Sequence, residues 1–292
     1  MHDIELLINS GLSGKYIRDI VRSELKISSA LLTKLKKSGG IKINGRSVTV
    51  AYKVTDGELL TVDLPREKTE TIIPVNIPLE IIYEDKYILA VNKPKDMPTH
   101  PSIGNHDNTL GNACMYYYRD TDFVFRPLTR LDRDTTGIVI IAKDARTSAL
   151  ISEQIQKGIF KKTYYAITQG IPEQLSGRID MPIGRADGSI LKREVRNDGQ
   201  SAVTDYKVLC IKENIALVEI QLLTGRTHQI RVHFSYINCP LLYDYMYGTE
   251  IPGETLYLHC GKVEFIHPVS NERMILKVKP DFPIFEKYLG AN

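Results

Sequence analysis

Arg130-Leu131-Asp132-Arg133-Asp134-Thr135-Thr136-Gly137 runs directly into Ile138-Val139-Ile140-Ile141-Ala142-Lys143. The second half is a short apolar run behind a Gly turn, the pattern of a buried strand. The first half places two carboxylates and two arginines at the mouth of that strand, which is costly unless each charge finds a partner. On an extended segment Asp132 and Asp134 would share a face about 7 Å apart. That separation suits a glycosidase-like pair of carboxylates. The alternative is a surface ion-pair cluster, with Asp134 accepting backbone N–H groups of the Thr135-Thr136-Gly137 turn.

Around this stretch the chain is rich in strand signals. Ile81-Ile82-Tyr83, Tyr87 to Val91, Tyr164 to Thr168, Ala202 to Leu209, Ala216 to Leu222 and Met274 to Val278 are β runs. Ala145 to Lys157 has helical spacing, with Leu150, Ile151 and Ile155 on its core face, and Thr227 to Ile237 suits a second helix. Many strands and few helices point to an α+β body on a mixed, mainly antiparallel sheet rather than a repeating βα fold.

The first 70 residues differ in character. Between Leu12 and Lys53 there are ten Lys/Arg against two acids, whereas the whole chain of 292 residues nets only +3. The basic charge is therefore concentrated at one end, as expected of a polyanion-binding appendage on a nearly neutral body. Gly14 to Leu25 reads as a helix. Ala30 to Lys37 reads as a second, capped by Ser28 or Ser29. Ile41-Lys42-Ile43 is a short strand, Asn44-Gly45 a type I′ hairpin turn, Val48 to Tyr52 the return strand and Leu59 to Leu64 another. Pro65 to Pro78 is polar and proline-punctuated and reads as a linker. The expected division is residues 1–70 and 71–292.

The 42% hydrophobic content supports a substantial core. Cys114, Cys210, Cys239 and Cys260 are far apart without a CxxC, and read as reduced thiols of a cytosolic protein. No secretory signal pattern is present, and no apolar run approaches the ~20 residues that span a bilayer. A soluble cytoplasmic protein is the expectation.

Three further segments carry chemistry. In Leu223-Thr224-Gly225-Arg226-Thr227-His228-Gln229-Ile230-Arg231-Val232-His233 a strand feeds a Gly turn and a helix. A buried Arg231 there would need a carboxylate partner. His228 and His233 are five apart and do not make the i, i+4 pair of a zinc helix. In Lys161-Lys162-Thr163-Tyr164-Tyr165-Ala166-Ile167, Tyr164 and Tyr165 point to opposite sheet faces, one suited to the core and the other to stacking on a flat ligand. In Ala90-Val91-Asn92-Lys93-Pro94 and Pro98-Thr99-His100-Pro101, a strand ends in a proline-rigid loop carrying Lys93 and His100, which could reach a phosphate.

Taken in order, these segments resemble the pseudouridine synthases of the RluA/RluD type. The resemblance extends from about Ile77 to Pro283 and is most specific at Arg130–Gly137 and Gly225–His233. Leu31 to Gly40, Ile41 to Gly45 and Val54 to Glu58 resemble, in their order, the S4 RNA-binding domain that precedes the synthase in larger family members. The resemblance implies the pseudouridine synthase fold and the isomerisation of uridine to pseudouridine in RNA, without cofactor or metal. It matches Asp132 to the catalytic nucleophile, Tyr164 to the tyrosine that stacks on the target base and Arg231 to the arginine that pairs with that aspartate. It matches Arg130 to the residue that contacts RNA where the base has flipped out. Lys34, Lys36, Lys37, Lys93 and His100 are the further expected RNA contacts. The implied partner is RNA, ribosomal RNA of the large subunit ahead of tRNA, met by a monomer. Attack at C1′, attack at C6 and removal of the C2′ proton all stay open for Asp132. So do two rivals: a non-catalytic RNA-binding protein on the same scaffold, and a nucleoside hydrolase using both carboxylates.

The chain departs from the family pattern at three places. Thr129 stands where His is usual, Asp96 where the Lys-Pro loop usually has Gly, and Tyr243 where Gly usually precedes Asp244.

Overall fold

The computed structural model describes residues 4–27, 29–64, 72–102 and 104–286. The expected boundary at Glu70, the first half of the proposed linker and the Ser28 cap lie outside these residues.

The N-terminal unit is a four-stranded sheet in the order β1 (Ile4–Leu7), β4 (Leu59–Val62), β2 (Ile41–Ile43), β3 (Arg46–Ser47). It carries two helices, α1 (Ile17–Ser23) and α2 (Ser29–Ser38). It has its own core, built on Ile17, Ile20, Val21, Leu35, Leu60 and Val62. Asn44 and Gly45 both have positive φ, 49° and 80°, as a type I′ turn requires. The expected return strand is cut short at Ser47 and residues 48–52 do not form a strand. The Tyr52 and Val50 carbonyls instead accept from Ile17 N (3.0 Å) and Arg18 N (3.0 Å), the free N–H groups at the start of α1. The first helix, Ile17–Ser23, is shorter at both ends than the expected Gly14 to Leu25.

The larger unit is a ten-stranded sheet, mixed and mainly antiparallel as expected. Its path is β10 (Ser176–Asp180), β13 (Val203–Lys212), β14 (Ile215–Leu222), β9 (Lys161–Gln169), β15 (Leu258–Ile266), β8 (Thr136–Ala142), β6 (Ile88–Lys93), β5 (Glu80–Glu84). Off this path, β7 (Arg126–Pro127) pairs with β8 and β16 (Arg273–Lys277) with β15. A two-stranded ribbon, β11 (Ile183–Arg185) and β12 (Arg193–Val195), stands apart from it. Helices α3 (Leu110–Tyr117), α4 (Ala145–Gln156) and α5 (Gln229–Tyr236) complete the unit. Residues 72–78, expected as linker, belong to this body. Ile72 is buried in its core, Val75 N donates to Asn112 O (3.2 Å) and Asn112 Nδ2 donates to Ile73 O (2.7 Å).

One row of the sheet sets the geometry of everything that follows. Lys93 pairs with Gly137, Gly137 with Cys260, Cys260 with Tyr164 and Tyr164 with Ile220, one residue from each of five neighbouring strands. The β8–β15 contact in this row is parallel, and it is tight. Gly137 has φ 108°, and a Cβ there would sit 2.3 Å from the Cys260 carbonyl oxygen. Both the conformation and the space exclude a side chain. Gly137→Ala is therefore expected to cost about 3 kcal/mol or more, combining left-handed strain with a backbone clash. Urea unfolding of the purified protein measures it; a change under about 1 kcal/mol, the size of an ordinary substitution, would contradict the geometry.

Candidate active site

The turn carrying Asp132 lies directly ahead of β8. It closes with Thr135 N donating to Asp132 O (3.2 Å). The loop after β6 buttresses it. Thr99 Oγ1 donates to Leu131 O (2.8 Å) and accepts from Leu131 N (3.2 Å), while Met97 N donates to Arg133 O (3.2 Å). Beneath the turn Lys93 is completely buried. Its ammonium donates to three carbonyl oxygens, Pro94 (2.8 Å), Met97 (2.8 Å) and Arg133 (2.9 Å). Lys93 is an expected RNA contact in the sequence; the structure corrects this, since all its N–H groups are spent inside the protein. Burial pushes its pKa down to about 7, against the pull of Asp134, Asp132 and Asp96.

The two carboxylates have separate surroundings. Asp134 is buried and accepts from Arg133 Nε (3.1 Å). The turn carbonyl that receives Thr135 N belongs to Asp132, so the expected role of Asp134 as acceptor of that turn is not what closes it. Asp132 keeps 31% of its side chain exposed. Its negative charge acts on Lys162, Tyr164, His228 and Arg231, whereas on Lys93 Asp134 acts more strongly than Asp132.

Tyr164 and Tyr165 divide as the alternation predicts. Tyr164 faces the main core at 4% exposure, and Tyr165 packs on the opposite side with its hydroxyl 3.4 Å from Glu219. Burial, and then the neighbouring Cys260 and Asp132, raise the Tyr164 pKa well above its usual value, so its hydroxyl stays protonated. The Lys162 ammonium stands 5.5 Å over its ring.

Helix α5 is buried from Gln229 to Phe234. The Gln229 side chain ties its start to β13, donating to Val203 O (3.0 Å) and Thr204 Oγ1 (3.0 Å) and accepting from Arg226 N (3.0 Å). This knot leaves His228, at the helix cap, in a left-handed conformation (φ 56°, ψ 21°). Its Nδ1 lies 2.8 Å from the Tyr247 hydroxyl and its Nε2 4.0 Å from Asp132 Oδ2. Burial lowers its pKa, with Asp132 partly opposing. His228 is the site residue that sequence reasoning misses. Its spacing to His233 raises only the question of a metal, although its place two residues after Arg226 in a Gly turn marks it as a cap.

Arg231 is expected from the family pattern to pair with Asp132. Its two-pronged partner is instead Asp244, with Nε to Oδ2 and Nη2 to Oδ1 both at 2.7 Å. Both side chains are essentially inaccessible, and Asp244 also caps Met246 N and Tyr247 N. Burial opposes the charge on Arg231, but Asp244 overrides it and raises its pKa. Asp132 contributes from a distance. Arg130 is exposed, and His100 is half-buried against Phe125 (5.0 Å between rings), near enough to Arg130 for that charge to lower its pKa further after burial. Lys34, Lys36 and Lys37 are exposed on α2.

Two departures from the family pattern gain a physical meaning. Asp96 (φ 61°) and Tyr243 (φ 63°) both occupy the left-handed region that Gly adopts freely. Asp96 meets Arg133 at 3.5 Å.

With that geometry in place, comparison with known proteins is decisive. Residues 87–236 match the family model described as RNA pseudouridylate synthase. The chain belongs to this family. It is 41% identical over 258 residues to an RNA pseudouridine synthase of Bacillus subtilis (strain 168), YjbO, covering 86% of this chain and 90% of that one. It is 34% identical over 274 residues to the ribosomal large subunit pseudouridine synthase D of Zymomonas mobilis, covering 84% and 86%. The fold matches human RNA pseudouridylate synthase domain containing 1 at a TM-score of 0.60 and 24% identity, over 72% of this chain and 87% of that one. The protein is an RNA pseudouridine synthase, an isomerase.

The buried Arg231–Asp244 pair makes this synthase vulnerable at one point. Asp244→Asn leaves the guanidinium without its counter-charge, at an expected cost of about 3–5 kcal/mol. Guanidinium chloride unfolding of wild type and variant checks it; equal midpoints would mean that the pair contributes no stability.

Proposed function

We propose that this synthase isomerises uridines in structured RNA, foremost the large-subunit ribosomal RNA, with Asp132 as nucleophile, Tyr164 against the target base and Arg231 fixing the site's charge. The observation that carries the reading is the isolation of Asp132. It is the half-open carboxylate whose charge acts on Lys162, Tyr164, His228 and Arg231, whereas Asp134 is buried and tied to Arg133.

The reaction balances within the substrate. The N1–C1′ bond breaks, the uracil turns while held, and C5 bonds to C1′; one hydrogen leaves C5 and one is placed on N1. The glycosidic bond of a folded RNA is reachable only after the nucleotide is extruded. Arg130 and His100 are read as contacts for the strand around the extruded nucleotide. Asp132 serves as a carboxylate nucleophile or base. The Lys162 ammonium over Tyr164 marks the face the uracil would take once that side chain swings away.

The choice of ribosomal RNA is supported by the Zymomonas relative, whose name specifies the large ribosomal subunit. The N-terminal unit, two helices on a small sheet with Lys34, Lys36 and Lys37 exposed on one helix, is read as an S4-like domain docking on phosphates. No helix among the described residues is long and apolar enough to cross a membrane. A cytoplasmic monomer is the assumed working state.

Carbodiimide mapping of pseudouridines in RNA from cells lacking this gene is expected to show one or more missing sites in large-subunit ribosomal RNA. Wild type restores them and Asp132→Asn does not. Restoration by the variant would remove Asp132 from its role, and loss confined to tRNA would move the target. Chromatography of the reaction should detect no free uracil, which a hydrolase would release. Lys34→Ala/Lys36→Ala/Lys37→Ala is expected to weaken RNA binding and flatten its salt dependence by roughly 0.7–0.9 in log–log slope for each phosphate no longer neutralised. An unchanged slope would count against the S4-like assignment.

A further inference from the structure

A cavity of about 370 Å³ opens between the β11–β12 ribbon and the turn ahead of α5, lined by Ile183, Arg185, Arg193, Gly199, Arg226 and Thr227 among others. Its size is roughly that of a dozen liquid waters. Arg185, Arg193 and Arg226 bring three positive charges to it, and none is ion-paired with a carboxylate among the described residues. The acid on its wall, Asp198, is already bound to Arg196 through two contacts (2.9 and 3.2 Å). The Arg193 Nη1 atom is shielded from solvent and has no hydrogen-bond partner. The wall is shaped by Gly199, where a Cβ would lie 2.5 Å from the Ile183 carbonyl carbon, so only Gly lets this turn close against the ribbon.

We propose that this cavity is a phosphodiester-binding pocket that receives an RNA backbone phosphate flanking the extruded uridine. The inference rests on Asp132 marking the reaction centre, because it is the pocket's position relative to Asp132 that selects nucleic acid over a free anion. Arg193 N donates to the Tyr247 hydroxyl (2.9 Å), that hydroxyl lies 2.8 Å from His228 Nδ1, and His228 Nε2 is 4.0 Å from Asp132. Thr227 and Arg226, the residues before His228 in the chain, are pocket wall. The pocket and Asp132 therefore lie on the two sides of one histidine. A nucleotide whose glycosidic bond meets Asp132 has its own phosphates within reach of the arginines. Planar guanidinium groups suit a phosphate's paired oxygens better than an ammonium does. A contact of this kind positions the strand without reading its sequence.

The test uses the full-length protein in an Asp132→Asn background, which makes binding independent of chemistry. Arg185→Gln/Arg193→Gln is compared with its parent for binding of a nonauridylate and of a series carrying one uncharged methylphosphonate linkage at each position. In the parent, one position should weaken binding roughly tenfold, the worth of one charge-assisted contact. That penalty should vanish in the double variant, whose salt slope should also fall by about 0.7 for each phosphate it no longer neutralises. Equal penalties in both proteins at every position would overturn the proposal. So would a flat series in which millimolar inorganic phosphate displaces the oligomer, which would make this a free-anion site. Circular dichroism of the double variant checks that its fold is intact. Failure here leaves the Asp132 assignment to be judged separately by the pseudouridine map.

Discussion

The approach of β8 to β15 at Gly137 is the constraint on which the site depends. Because position 137 carries no side chain, the two strands meet in parallel at backbone distance, and the row Lys93–Gly137–Cys260–Tyr164–Ile220 lines up across five strands. That row brings Tyr164 beneath the turn that bears Asp132, although 31 intervening residues in sequence make no such promise. It also brings Lys93 under the same turn, where three carbonyl oxygens take its ammonium. A bulkier residue at 137 would shift one strand against the other and move the tyrosine relative to the carboxylate.

The buried cations explain how a carboxylate remains half-open in such dense surroundings. Lys93 and Arg231 both look from sequence like groups aimed at the substrate or at Asp132. Each is committed elsewhere: Lys93 to main-chain carbonyls, Arg231 to Asp244. The Arg231 charge still reaches Asp132 electrostatically, since a low-dielectric interior screens it little. The protein thus supplies Asp132 with a favourable field without a direct ion pair that would block a substrate's approach.

The sheet class, the strand runs and the Asp132 turn are legible because each is written locally, in apolar runs and turn residues. The type I′ turn at Asn44-Gly45 appears where the dipeptide places it. What is not legible depends on partners distant in sequence. Residues 48–52 have β-forming side chains, yet their carbonyls are claimed by the start of α1. The polar segment before Pro78 hides Ile72, whose burial ties it to the synthase body. Arg231 correctly demands a carboxylate, but the family pattern points to Asp132, and only the folded backbone brings Asp244 to 2.7 Å. Asp96 and Tyr243 stand where the family pattern has glycine, and both take the left-handed backbone that glycine adopts freely.

His228 shows how far such remote ties extend into the chemistry. The Tyr247 hydroxyl accepts a hydrogen bond from Arg193 N and lies 2.8 Å from His228 Nδ1. Nε2 is the ring nitrogen that faces Asp132, at 4.0 Å. Burial keeps the imidazole neutral by lowering its pKa. Asp132 therefore faces a neutral ring at 4.0 Å rather than a further cation. The tie begins at a main-chain N–H of the β11–β12 ribbon, so the same ribbon that walls the arginine pocket also helps seat the histidine beside Asp132.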